Sequence, residues 1–334
     1  MSNCVNLFPF SENDKEGYIN ATGKIVIEPQ FDIAAEFYDG VARVAMIDPS
    51  RTLDPLTNMI RLNNGFIGAD GALIADFQYP HVRDFSDQRA AVRVGKKVGY
   101  LDTAGEMVIE PRFDFAWSCS EGLAPAIVRK NKPMMLSKDG EVAFEKPAGQ
   151  LGDCREGLIP YNYKSKWSYL DRDGETAFEL KCSAASPFSE GLAAILAKGK
   201  MGYIDTSGNI VIEPQFPQAQ EFSEGLAAVE VYNAGKGKKD YTKPQQFIYI
   251  DQEGNRAIET TFLFAGSFSE GLAAVNLDER GVSAYINKLG EVVIPPIKCD
   301  LALPFRNGLA RIQFVGDRYG YINREGEFVW SNRK

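Results

Sequence analysis

The stretch Gly202-Tyr203-Ile204-Asp205-Thr206-Ser207-Gly208-Asn209-Ile210-Val211-Ile212-Glu213-Pro214-Gln215-Phe216, closing with Phe222-Ser223-Glu224-Gly225-Leu226-Ala227-Ala228-Val229, decides the fold. Tyr-Ile-Asp-x-x-Gly-x-x-Val-Ile reads as a β-hairpin, because aromatic and β-branched residues flank a tight turn. The turn glycine takes φ > 0 at no steric cost, and the aspartate caps turn amides. Pro29, Pro111, Pro214 and Pro296 are expected to end the second strand, since proline cannot continue a hydrogen-bonded ladder. A link of the type Gln-Phe-x-x-Ala-x-x-Phe turns its aromatics inward, and a third strand starts at Gly-Leu-Ala-x-Val. Its second position is Ala42, Ala90, Ala124, Ala193, Ala227, Ala273 and Ala310; its fourth is Val44, Val92, Ile195, Val229, Val275 and Ile312. Alternate residues of a strand share a face, so this is a small and β-branched core face.

The turn glycine recurs as Gly23, Gly71, Gly105, Gly140, Gly174, Gly208, Gly254, Gly290 and Gly326, a unit of 34–36 residues repeated with two wider gaps. Such self-similarity signals a repeat architecture whose units bury their apolar faces on one another. It overrules the two-domain expectation that 334 residues alone would give. Residues 1–16 form a lead-in, 17–330 one array, and 331–334 a tail. The composition suits a folded chain, with 44% hydrophobic and 25% charged residues. A net charge of −8 argues against nucleic acid as a partner, because phosphate binding needs clustered Lys and Arg. No window approaches the length of an apolar membrane span. The start, Met-Ser-Asn-Cys-Val-Asn-Leu-Phe-Pro-Phe, has no secretory pattern, so a cytoplasmic location is expected.

Phe-Ser-Glu-Gly-Leu-Ala at 188–193, 222–227 and 268–273, with Gly-Tyr-Ile-Asp and the spaced Gly, Pro and Phe, resembles the WG-repeat family. The resemblance covers 17–330. The tryptophan slot holds Glu16, Val98, Met201, Phe247 and Tyr319 instead; Trp167 keeps it but is followed by Ser168. The repeat over 133–159 is the most degraded. The resemblance implies a β-repeat scaffold for interactions and brings no catalytic residue with it.

Chemistry-bearing residues mostly fall into register. Cys119 and Cys154 occupy the slot of Phe37, Phe85, Phe188, Phe222, Phe268 and Phe305. Cys182 and Cys299 occupy that of Phe31, Tyr79, Phe113, Phe216 and Phe262. With no CxxC spacing and a single histidine, His81, all four read as buried thiols in place of core aromatics, and no metal or cofactor is expected. His81 reads as a surface residue of a link. Two acidic ladders recur: Asp39, Asp87, Glu121, Glu156, Glu190, Glu224 and Glu270 beside the third strand, and Glu28, Asp76, Glu110, Glu145, Glu179, Glu213 and Glu259 after the hairpin. A glycosidase needs one pair of carboxylates rather than a series. The structural reading, carboxylates accepting backbone N–H bonds in the link, is therefore preferred, with a cation or basic-protein surface as the alternative.

Two insertions, 46–64 and 230–246, break the pattern, and loops on a rigid scaffold are where binding residues concentrate. The second carries the basic run Lys236, Lys238, Lys239 and Lys243 around Tyr241, expected to meet an acidic surface with Tyr241 as anchor. Arg51 in the first insertion and the third-strand positions Arg43, Pro125, Pro160 and Arg311 complete the candidate set. The architecture expected is all-β: about nine three-stranded units in an open twisted β-solenoid, with a β-propeller as the alternative. The function expected is a non-enzymatic scaffold for a protein partner. The alternatives are a cytosolic immunity protein sequestering a bacterial toxin, or a carbohydrate-binding protein or glycosidase using Trp117 and Trp167.

Overall fold

The structure, a computed structural model, describes residues 6–50, 52–53, 59–128, 132–232, 244–277 and 281–332. It is all-β among these residues, and it divides into two compact units. The first is Met1–Ile159 with Arg172–Gly174; the second is Pro160–Asp171 with Glu175–Lys334. In the first unit the sheets cover 7–31, 33–79, 89–113 and 115–145, with three, four, three and four strands. In the second they cover 184–216, 227–250, 264–298 and 301–331, with four, two, four and four strands. The chain passes from one unit to the other within 150–180. In these sheets each strand pairs antiparallel with its neighbour in sequence, so each sheet is a meander.

The open solenoid of three-stranded units is thus overturned, and the propeller-type blade, a four-stranded antiparallel sheet, fits instead. Thirty-four residues suffice for four strands because one of them is minimal. It lies inside the link that the sequence presents as irregular, as Phe115–Ala116, Ala184–Ala185, Phe264–Ala265 or Leu301–Ala302. Where even this strand is missing, a single bridge replaces it, Val82↔Val92 beside the 89–113 sheet and Ala219↔Val229 beside the 227–250 sheet. Each blade also joins the link and third strand of one repeat to the hairpin of the next. The first hairpin has its partner too: Leu7–Glu12, within the lead-in, pairs with Lys15–Asn20 from Leu7↔Asn20 to Glu12↔Lys15.

The prolines are a second correction. They lie inside the last strand of the blade, as in Ile25–Phe31 and Ile210–Phe216, and do not end it. The register shifts there, between Met201↔Phe216 and Tyr203↔Ile212, and the bulge hides the missing N–H on an outer strand. That bulge also explains the glycine before the blade tyrosine. A Cβ on Gly202 would sit 2.5 Å from the Ile212 carbonyl oxygen and 2.6 Å from Pro214 N, so only hydrogen fits.

The core is built from the residues the repeat repeats. Tyr18, Tyr203, Tyr249 and Tyr285 are fully buried, each against a phenyl ring of the following link, Phe37, Phe222, Phe268 and Phe305, at 4.9–5.0 Å. A buried phenol needs a partner. Each donates to a link carbonyl: Tyr18 to Ala35, Tyr203 to Gln220, Tyr249 to Gly266 and Tyr285 to Leu303, at 2.6–2.8 Å. Burial pushes all four phenol pKa values far up, so they stay donors at any physiological pH.

Candidate partner-binding site

The first acidic ladder is a set of clasps between successive blades. Ser-Glu-Gly forms a two-residue turn with both residues at positive φ, +55° at Glu224 and +85° at Gly225. From it the carboxylate reaches the same turn of the next blade. Glu190 accepts Glu224 N–H at 2.6 Å and Gly225 N–H at 2.8 Å. Glu224 accepts Gly271 N–H, Glu270 accepts Gly308 N–H, and in the first unit Asp39 accepts Gln88 N–H. Glu121 accepts Glu156 N–H at 2.6 Å and Gly157 N–H at 3.0 Å. Burial works to raise the Glu121 pKa, but these two N–H donors, the Cys154 thiol and Arg172 outweigh it and hold the carboxyl below its ordinary value. The serine completes the clasp: Ser120 donates to the Cys154 carbonyl, Ser189 to Phe222, Ser223 to Phe268 and Ser269 to Phe305, at 2.7–2.8 Å.

The second ladder differs. Glu28, Asp76, Glu110, Glu145, Glu179, Glu213 and Glu259 are exposed on or just after the last blade strand, and none of their carboxylates takes a hydrogen bond or ion pair among the described residues. No group of three or more His, Cys, Asp or Glu side chains suited to a metal occurs among the described residues. Cys119, Cys154 and Cys299 are buried, whereas Cys182 is half-buried. Burial, followed by the neighbouring Asp87 and Glu121 charges, pushes the Cys119 and Cys154 thiols up to about 11.

The candidate residues scatter. Arg51, Lys236, Lys238, Lys239, Tyr241 and Lys243 lie outside the described residues. Arg311 is folded onto the chain, its guanidinium 3.8 Å from the centre of the Tyr319 ring, with its Nε buried and unbonded among the described residues. Pro125 and Pro160 are buried in strands. Trp167 is half-buried, with its Nε1–H given to the Ser183 carbonyl, and Trp117 is half-buried beside Phe115. The described part of the first insertion exposes Ile47, Leu53, Met59 and Ile60.

Arg43 is the candidate that lies at a cavity. Its Nε pairs with Asp84 Oδ1 at 2.8 Å, and both line a cavity of about 410 Å³ with Tyr38, Val82, Arg83, Phe85, Ser86 and Ser118. Val82 and Arg83 also line a second cavity, of about 440 Å³, with His81, Ala91, Arg93, Val98, Phe115 and Ala116. Both cavities lie in the first unit, where the link 81–85 faces the third strands 41–47 and 89–94 and the link 115–118. Arg83 Nε donates to the Ala116 carbonyl; Arg93 donates to the carbonyls of Lys96 and Asp114 and lies 6.0 Å from the centre of the Phe115 ring. Phe115, 57% exposed, is the most exposed aromatic among the described residues. Sequence reading missed Arg83, Arg93 and Phe115. The available signal was their place at variable slots: the links carry Ala35, Trp117, Ser186, Gln220, Gly266 and Leu303 where this one has Arg83.

The family model for the WG containing repeat matches residues 17–46, 65–97, 99–132, 155–200, 201–233, 249–280 and 284–317. The chain belongs to the WG containing repeat family. No curated protein matches it by sequence. Among solved structures, a crystal structure of the eukaryotic initiation factor superposes at a TM-score of 0.61 with 11% identity, over 88% of this chain and 86% of that one. At that identity the likeness shows the fold alone. The C-terminal WD40 domain of Sif2 (11% identity, covering 85% of this chain and 90% of that one) and the Dos1 propeller (10%, covering 86% and 91%) both stand at a TM-score of 0.46. In this WG-repeat chain the repeat supplies the blades, and the slots outside the repeat formula supply the cavities.

Proposed function

We propose that the chain is a non-enzymatic scaffold that binds a protein partner through an acidic surface of that partner. One observation carries the reading. The recurrent polar side chains of the first ladder and its serines are engaged in holding blade to blade, whereas non-recurrent Arg43, His81, Arg83, Arg93 and Phe115 collect around two adjoining cavities. Arginine and aromatic side chains together are the usual anchors of interfaces. The carbohydrate and glycosidase readings find less support, since neither Trp117 nor Trp167 is exposed and the clasp carboxylates are occupied by backbone N–H groups. An immunity protein sequestering a toxin is the finer form of the same binding function.

The test is affinity capture with the immobilised full chain, followed by binding of the purified captured protein measured by calorimetry at 50 and 500 mM salt. A saturable complex that weakens as salt rises supports the reading, because exposed charges are screened over about 8–10 Å at physiological strength. Turnover of a substrate by the isolated chain with no stable complex overturns it.

A further inference from the structure

Resting on that reading, we propose that the cavity between link 81–83 and link 115–116 is a carboxylate-binding pocket, whose ligand is a peptide segment with a carboxylate next to an aromatic or aliphatic side chain. The cavity has a strong local charge in a chain whose net charge is −8. Arg83, Arg93 and His81 line it, and no Asp or Glu side chain does among the described residues. Neither guanidinium pairs with a carboxylate among the described residues; the bonds they make go to neutral backbone carbonyls, and the terminal nitrogens of Arg83 make none. The acidic residues that neighbour the two links in sequence pair with other cations, Asp84 with Arg43 at 2.8 Å and Asp114 with Lys97 at 2.5 Å.

Two fork-shaped donors beside an apolar wall suit a planar carboxylate, whose two oxygens accept parallel N–H bonds. Val82, Ala91, Val98 and Ala116 lower the local dielectric, which strengthens that attraction. Ala91 lines this cavity at a register that holds Arg43 and Arg311 in two other units, where the arginine pairs with Asp84 or folds onto Tyr319. Phe115 stands at the rim as an exposed ring for the ligand's apolar neighbour. A polyanion is a poorer match, because the acidic remainder of the chain repels everything beyond the cavity mouth.

The experiment uses the full chain and three fluorescent-tagged peptides, read by anisotropy. The first is Gly-Glu-Phe-Glu-Gly with both ends blocked, which offers side-chain carboxylates. The second is Gly-Gln-Gln-Gly-Phe with a free C-terminus, which offers a terminal one. The third is Gly-Gln-Phe-Gln-Gly with both ends blocked, which offers none. Saturable binding of the first or second, absent for the third, supports the pocket and says which kind of carboxylate it takes. The double variant R83A/R93A should weaken that binding by about tenfold or more, the loss expected for two charge-assisted contacts. F115A removes an exposed ring, so it should weaken binding by about threefold with an unchanged melting temperature. Equal binding of the neutral peptide, unchanged affinity in R83A/R93A, or no binding at all overturns the pocket. None of those results touches the scaffold reading, which the capture experiment tests alone.

Discussion

Replacing Glu190 by alanine removes a clasp and leaves its turn. Two bonds go, to Glu224 N–H at 2.6 Å and Gly225 N–H at 2.8 Å. A charge-assisted hydrogen bond contributes about 1.5–3 kcal/mol where water is excluded, but Glu190 is exposed and water takes over part of the role. About 0.5–1 kcal/mol per bond is a fair value here, so E190A should cost about 1–2 kcal/mol. The turn itself is a second term. Glu190 sits at φ +55°, and a residue with a Cβ bears about 1 kcal/mol of strain there that glycine does not. E190G loses the same two bonds but gains that relief, so it should lie about 1 kcal/mol above E190A. Equilibrium urea unfolding of the full chain, followed by circular dichroism, reads both. Midpoints of E190A and the wild type that coincide, or an E190G midpoint as low as that of E190A, would refute the reasoning.

Three further outcomes are expected. G202A should lose about 2 kcal/mol or more of stability, because its Cβ meets the Ile212 carbonyl and Pro214 N, backbone atoms that cannot move aside; a urea midpoint equal to that of the wild type contradicts this. Among Cys119, Cys154 and Cys182, a thiol reagent at pH 8 should reach half-buried Cys182 first, while Cys119 and Cys154, pushed up to about 11, react slowly until the chain unfolds; mass spectrometry of the labelled sites gives the order. The Glu121 carboxyl is held below its ordinary value of 4.5, so its contribution to stability is present above that value and disappears as pH falls through the depressed one. The gap in urea midpoint between wild type and E121Q should therefore shrink from pH 7 to pH 3, and a constant gap contradicts the clasp.

The all-β class, the period and the hairpins were legible because each rests on local chemistry: a turn glycine, alternating apolar residues, aromatic and β-branched strands. That Glu190 and Glu224 accept backbone N–H bonds was legible as well, since a carboxylate recurring beside every third strand argues for a repeated bond and against a unique reaction; that the bonds reach the turn of the next blade, and do not stay within the link, was not. Two features were not. Phe115–Ala116 is a strand of two residues, too short for alternation to reveal, and without it a blade counts three strands. Pro214 lies in a strand because the register slips opposite Gly202, and a bulge is a property of the pair of strands, not of either sequence.

The cavity was hidden for a different reason. Net charge is a sum over 334 residues, and a sum of −8 turns attention away from anions. A ligand responds to what lies within about 8–10 Å of it, and here Arg83 and Arg93 line the cavity with no carboxylate partner among the described residues, while Asp84 and Asp114 pair with Arg43 and Lys97. Those arginines come from two segments ten residues apart that pair antiparallel through Val82 and Val92, and Phe115 comes from the link strand of the next sheet, whose packing on the first completes the cavity. The repeat formula itself points to where such residues must be. The aromatic and alanine slots that it fixes in the link are used by the packing of the blades, so a link residue free to recognise something else stands where the formula writes x. Arg83 and Phe115 both do, in the Gln-Phe-x-x-Ala-x-x-Phe link. A column-by-column comparison of these links would single out Arg83, the one arginine in a column otherwise held by Ala35, Trp117, Gly152, Ser186, Gln220, Gly266 and Leu303.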